Sequence, residues 1–350
     1  QRYPGQEEGI RNQVWKDSLT SYVHEDGSLI NSDQPIAAVE VQGLAYDALT
    51  AVAEMFNRDL VLASSAHIDS RRVEQWRGLA QDLRRRIFER FWLADEKRFA
   101  QAIDRDPESK VPRPVSTPSS NELHLLNSRL FDDLDDQTKR SYLESLVRQA
   151  MGPDFLTDVG IRCRAKSRAN LISFVDYHGS WAVWPWETHW IALGMRRQGL
   201  SRLADELDKR VLNSFAVAGD YLEFFLADPA SEACYYRFNP LDWGKEDQAQ
   251  GHPIMATNLP DTPQTWSLTA EINIQSILST VLDHPPQSVW LEALEHEMLK
   301  GLKTVQLLTT GEQISRVREA APVANIDRMG GKEADDRYYD LIGAAKNAMP

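Results

Sequence analysis

The sequence predicts an all-α protein. Three observations carry that prediction. Apolar residues recur with helical period through most of the 350 residues, strand-like alternation is almost absent, and the helical stretches are separated by long loops rich in proline and aromatics. Strand side chains alternate with period two, whereas helical ones return to one face about every 3.6 residues.

Taken in order, residues 1–34 lack periodicity and read as loop. A helix opens at Pro35–Ile36, with Pro35 suited to a first turn and Val41, Leu44, Ala45, Ala48, Val52 and Met55 on one stripe. A second helix is predicted over 70–92, capped by Asp69 or Ser70, with Val73, Trp76, Leu79, Leu83, Ile87, Phe88 and Phe91 apolar. Pro107, Pro112, Pro114 and Pro118 forbid a helix over 94–118, which reads as a long loop with a short hairpin around Phe99 to Ile103. Helices are expected at 119–131 and 136–151. Residues 152–180 are irregular and basic, and helices resume at 181–198 and 201–217. A second irregular stretch, 226–262, carries Pro229, Pro240, Pro253 and Pro260 and the aromatics Tyr235, Tyr236, Phe238 and Trp243. The last clear helices are 264–282 and 286–304; the tail after Thr310 is weakly periodic. Paired helices alternating with such loops fit an α/α toroid, with inner and outer helices alternating and the loops gathered at one end as a pocket. A helical-repeat scaffold is the rival, but no solenoid-type repeat is present. Residues 1–310 read as one domain. Residues 311–350, with Gly330-Gly331 and the charged run Lys332 to Arg337, read as a peripheral segment without a catalytic role.

Composition narrows the function classes. The net charge is −13, with 39 Lys and Arg against 52 Asp and Glu, which argues against nucleic acid as a partner. Arg84-Arg85-Arg86 is the one tight basic run, and it reads as a solvated helix face with local ion pairs. No apolar run approaches the ~20 residues that span a bilayer, so no membrane partner is expected. The two cysteines, Cys163 and Cys234, lack the spacing of a metal site and read as free thiols; the localisation expected is cytoplasmic. No His-Glu-x-x-His, phosphate loop or Gly-x-Ser-x-Gly elbow is present, so no metal or cofactor and no serine nucleophile are expected.

Six segments point elsewhere. They are Asn12-Gln13-Val14-Trp15-Lys16-Asp17-Ser18; Pro35-Ile36-Ala37-Ala38-Val39-Glu40-Val41-Gln42-Gly43; Ser120-Asn121-Glu122-Leu123-His124-Leu125-Leu126; Gly160-Ile161-Arg162 with Tyr177-His178-Gly179-Ser180 and Val183-Trp184-Pro185; Leu222-Glu223-Phe224-Phe225; and Pro263-Gln264-Thr265-Trp266-Ser267. Together and in this order they resemble the amylo-α-1,6-glucosidase family, the glucosidase domain of glycogen-debranching enzymes, over roughly residues 9–285. The departures are Trp186-Glu187 where the family has His-Asp, an apparent insertion of Trp181-Ala182, Leu222 in place of Pro, and Leu123 in place of Gly.

The resemblance implies an (α/α)6 barrel and an inverting α-glucosidase acting on an α-glucan or a small α-glucoside. It assigns the general acid to Asp17 and the general base to Glu223. Glycoside hydrolysis needs two such carboxyl groups flanking one bond, and aromatic neighbours would raise the acid's pKa by desolvation. Trp15, Lys16, Glu40, Gln42, Asn121, His124, His178, Glu187, Gln264 and Trp266 are the expected substrate-binding residues. Indole faces suit the C–H faces of sugar rings; of the crowded tryptophans, Trp184 is expected at the sugar and Trp190 in the core. A hydrolase of a disaccharide or compatible-solute glucoside is one alternative, and a non-catalytic glycan-binding barrel another. A family barrel has twelve helices, and about eight are legible here. The expectation is therefore that an N-terminal portion of the barrel is lacking, and that exposed inner-helix surface promotes self-association or pairing with a missing segment.

Overall fold

The computed structural model describes residues 12–18, 20–31, 34–172, 175–238, 260–279, 288–321 and 323–324. The chain divides into two compact units, residues 1–149 and 150–350. Both are predominantly helical, with a few small sheets. Trp243, the adjoining ends of the last two long helices expected at 282 and 286, and the tail beyond 324 lie outside the described residues.

The first unit is built on α1 (Val39–Arg58), the short α2 (Leu60–Ser65) and α3 (Ser70–Phe91), with α1 packed along α3. Asp69 caps α3 as its sequence position suggests, its carboxylate accepting from the Arg72 N–H at 2.8 Å. The buried positions of α3 are Val73, Ala80, Ile87 and Phe91, a stripe advancing by two turns or one. Leu79, assigned to that stripe from the sequence, lies about 100° around the helix from Ala80 and is exposed. Leu44 and Met55 of α1 are likewise exposed. In the basic run, Arg85 and Arg86 pair with Asp82 on the same helix.

The stretch expected as a loop over 94–118 is instead two antiparallel hairpins. Strands β1 (Ala37–Ala38), β2 (Trp92–Leu93), β3 (Arg98–Phe99), β4 (Ala102–Arg105) and β5 (Pro112–Val115) form a β2–β3 pair and a sheet ordered β1-β4-β5. The prolines are compatible with pairing because β5 is an edge strand. Its register runs from Ala102↔Val115 to Arg105↔Pro112. At the hairpin tip the Asp106 carboxylate accepts from the Ser109 and Glu108 N–H groups at 2.8 and 3.1 Å. The start of α1 has no side-chain cap; its Val39 N–H donates to the Gln101 carbonyl at 2.9 Å, which registers the first turn against the sheet.

The helix expected over 119–131 is two 3₁₀ turns, Ser120–Asn127 and Arg129–Phe131, and α4 (Asp136–Met151) follows. Phe88, Trp92, Phe99, Phe131 and Tyr142 form one aromatic core, with Phe88 and Tyr142 stacked at 4.8 Å. Gly43 lets α1 approach the first 3₁₀ turn, since a Cβ there would come within 2.9 Å of Leu125 Cδ2.

In the second unit α5 (Pro185–Arg197) and α6 (Ser201–Ala218) form a tight pair joined through Gly199, whose φ of 83° is the left-handed conformation glycine permits. The helix expected from 181 starts only at Pro185, because Ala182 and Val183 are strand residues. They form β8, which follows β6 (Leu156–Thr157) and β7 (Gly160–Ile161) and pairs with β9 (Phe225–Ala227), itself paired with β10 (Cys234–Tyr235). Further helices span Thr265–Ser279, Val289–Gly301 and Gly311–Ala320. Val159, Val183, Val211, Phe215, Leu222, Phe225 and Ile274 belong to one buried core. Two side chains seal the ends of α6. Glu295 accepts from the Arg202 N–H at 2.9 Å at its start, and Arg318 donates to the Ala216 carbonyl at 3.0 Å at its end. The beginning of the peripheral segment is thus helical and tied to α6. No helix among the described residues is long and apolar enough to cross a membrane.

Candidate active site

The residues singled out by the sequence fall into two sets, one in each unit. In the first unit the Trp15–Ser18 segment is an irregular loop held by side chains. Asn12 Nδ2 donates to the Ser18 carbonyl at 2.8 Å, and the fully buried Lys16 donates from Nζ to Ser120 Oγ at 2.7 Å. Lys16 Nζ also lies 6.0 Å from the centre of the Trp15 ring. Asp17, between these anchors, is half-buried. Burial pushes its carboxyl above the ordinary value, with a hydrogen bond from its own backbone pulling the other way.

A buried polar chain continues from the same 3₁₀ turn. Asn121 Nδ2 donates to Tyr22 Oη at 3.3 Å, and Tyr22 donates to Glu40 Oε1 at 3.2 Å. Glu40 is buried, and its Oε2 has no hydrogen-bond donor among the described residues. His124 is buried on the turn and Gln42 half-buried on α1. The structure therefore brings Lys16, Asn121 and Glu40 together through Ser120 and Tyr22.

In the second unit Glu223 is 7% exposed. It accepts from Tyr177 Oη at 2.5 Å and from the Asp261 N–H at 3.1 Å, while its own N–H donates to the Asp261 carbonyl at 2.9 Å. The neighbouring backbone is fixed to the start of the helix Thr265–Ser279. Gln264 N–H donates to the Tyr221 carbonyl at 2.8 Å, and Ser267 Oγ to the Leu222 carbonyl at 2.6 Å. Aromatic rings surround the acid's donor: Tyr177 meets Trp184 edge-on at 5.0 Å and Phe224 at 5.4 Å. Gln264 is half-buried.

Two expectations about the tryptophans are corrected. Trp184 is 1% exposed, because its indole N–H donates inward to the Tyr177 carbonyl at 3.3 Å and its ring stacks on the buried His178 at 5.1 Å. Trp190 is half-buried rather than core. Among the described residues the most exposed indole is Trp266, 50% exposed and 5.6 Å from Trp186. Glu187, expected to reach toward a sugar, is fully buried on α5, with the Cys163 thiol 3.5 Å from its Oε2.

Four groups escaped the sequence reading. Glu122 is fully buried in a capping box with Ser119. Burial pushes its carboxyl up to about 7, against the attraction of Arg98 and hydrogen bonds from its own backbone and Ser119. The Ser-x-x-Glu spacing was its legible signal. Asp104 binds Arg113 Nε and Nη2 at 2.9 and 3.0 Å and lies 3.2 Å from His24 Nε2, tying the segment after Asp17 to the sheet. Burial alone would raise the Asp104 carboxyl. The hydrogen bonds with His24, Arg113 and the Asn31 N–H outweigh it and hold the carboxyl at about 2. Tyr177 and Asp261, the partners of Glu223, carried no sequence signal for that role.

Among the described residues, no cluster of three or more His, Cys, Asp or Glu side chains is arranged to hold a metal ion. Cys163 and Cys234 are both buried free thiols. A scan of protein-family models found none that matches the chain, and a search of curated proteins found no match.

Proposed function

We propose that this chain is a glycoside hydrolase of the α/α-toroid type, an inverting α-glucosidase with Asp17 as general acid and Glu223 as general base. The observation that carries the reading is the pair of environments given to these two acids. Burial moves the Asp17 carboxyl upward, the direction a general acid needs. Glu223 is held by a tyrosine hydroxyl and a backbone N–H, which aim a carboxylate and keep it from rotating. In the second unit the exposed Trp266 offers an apolar face suited to a sugar ring; in the first the buried Lys16–Ser120 and Asn121–Tyr22–Glu40 contacts hold the surroundings of Asp17 rigid. The substrate class is an α-linked glucoside of the debranching type; a small α-glycoside is the narrower alternative. In the reaction Asp17 protonates the departing glycosidic oxygen. Glu223 takes a proton from water as that water attacks the anomeric carbon from the opposite face.

The test is sugar release from a panel of α-glucosides, with the anomer followed by proton NMR in early turnover. An inverting enzyme releases the β-anomer first. Asp17→Asn should abolish cleavage of natural substrates and spare much of the activity on a glucoside with an activated leaving group, which departs without a proton. Glu223→Gln should abolish both. An initial α-anomer, or full activity in either variant, overturns the assignment.

A further inference from the structure

A cavity of about 480 Å³ lies within the second unit, apart from Glu223, Tyr177 and the tryptophans. Its walls include Arg162, Arg210 and Lys303, the acids Asp158 and Glu232, and the apolar Met151, Leu156 and Leu302. That volume is at the small-molecule scale.

Arg162 is the informative residue. It is 2% exposed, and among the described residues its side-chain hydrogen bonds run from Nη1, to the Ser180 carbonyl at 2.9 Å and to the Ala227 carbonyl. Its Nε is buried and has no acceptor among the described residues. The guanidinium thus keeps an unspent donor at Nε, on the edge that takes a carboxylate or phosphate side-on. Burial outweighs Glu232, Asp228 and Asp154, which favour its charge at a distance, and both acids on the wall are paired elsewhere. Asp158 lies 3.4 Å from Lys303 Nζ, and Glu232 pairs with Lys166. A desolvated guanidinium bonded only to carbonyls is an unfavourable arrangement, and an anion relieves it.

The rest of the wall is built to stay in place. Arg210 spends its donors on the protein, bonding the Thr157, Glu206 and Lys303 carbonyls at 3.0, 2.8 and 2.8 Å. It contributes charge and rigidity. Lys303, whose side chain is 82% exposed, stands where it can leave Asp158 and close on a ligand. We infer that this cavity is a binding site for a small phosphate- or carboxylate-bearing molecule, gripped by Arg162 and covered by Lys303.

The experiment is calorimetric titration of the full chain with inorganic phosphate and, separately, with citrate, against chloride at matched ionic strength. Saturable binding of either anion, without a response to chloride, is expected, and the responding anion names the group recognised. Arg162→Gln should weaken binding by roughly tenfold or more, a loss on the scale of a charge-assisted pair. Lys303→Glu, at an exposed position, should weaken it several-fold while the ligand-free melting temperature stays unchanged, so the test survives if Arg162→Gln does not fold. Asp17→Asn and Glu223→Gln should bind as the parent does. Absence of saturable binding by both anions, or binding that Lys303→Glu leaves intact, overturns the inference.

Discussion

Glu122 makes the protein's stability depend on pH in a direction opposite to that of an ordinary salt-bridged acid. Its carboxyl is raised from 4.5 to about 7 by complete burial. A folded-state value above the unfolded one means that the folded chain holds the proton more tightly. The stability this provides is full below about pH 4.5 and is lost as pH rises through about 7. The shift corresponds to ~3 kcal/mol between the acidic and alkaline limits. Glu122→Gln cannot titrate, and Gln can serve at the same position of a capping box. Relative to the parent the variant should be nearly neutral at about pH 5 and should gain steadily toward pH 8, by up to ~3 kcal/mol. For a unit of this size that is up to roughly 10 °C in melting temperature. Parallel calorimetric scans of both proteins across this range measure it. A difference that stays constant with pH would refute the reasoning, because it would mean that the buried carboxyl does not titrate on this scale.

Two further predictions concern the surroundings of Glu223. Tyr177→Phe removes the 2.5 Å hydrogen bond to its Oε1 while keeping the ring contacts with Trp184 and Phe224. A lost hydrogen bond to a charged group, ~1.5–3 kcal/mol, should lower kcat by about 10–100-fold with little change in melting temperature; unaltered kcat counts against the role given to Tyr177. Gly179→Ala places a Cβ 1.4 Å from Asp176 Oδ1, so the carboxylate must leave Arg164, its buried partner at 2.6 Å. Thermal unfolding should show a loss of ~3–5 kcal/mol, and an unperturbed melt would show that the turn yields without breaking that pair.

The sequence was most legible where a repeating pattern coincided with a local cap. Asp69 ahead of an apolar stripe marked α3 nearly to the residue, and α4 and α6 were placed closely from their apolar periodicity alone, α6 starting without a side-chain cap. It was least legible where tertiary pairing overrides local preference. Pro112 and Pro114 forbid a helix and so suggested loop, but an edge strand also tolerates proline, and no local signal separates the two. In the candidate site, residue types were readable but their directions were not. Trp184 and Glu187 sit in a stretch whose chemistry suits a sugar. Whether each side chain points outward is decided by partners outside its own helix: Tyr177 for the indole, Cys163 for the carboxylate.

The anchors of the two proposed catalytic acids follow from that same physics. An irregular segment has no ladder of backbone hydrogen bonds to hold it, so a side chain that must be aimed needs bonds from elsewhere in the chain. In the first unit those bonds come from Asn12 and Ser120, and in the second from Tyr177 and Asp261. Lys16 shows the asymmetry of this construction. Its ammonium is fully buried, and Ser120 Oγ accepts from it, so removing that hydroxyl takes an acceptor from a charge that water does not reach. An exposed anchor would have been cheaper in free energy but would have left the neighbouring Asp17 free to turn into solvent, where burial could no longer raise its pKa. Rigid placement of the acid and its raised pKa therefore have one physical origin, the burial of the loop that carries it.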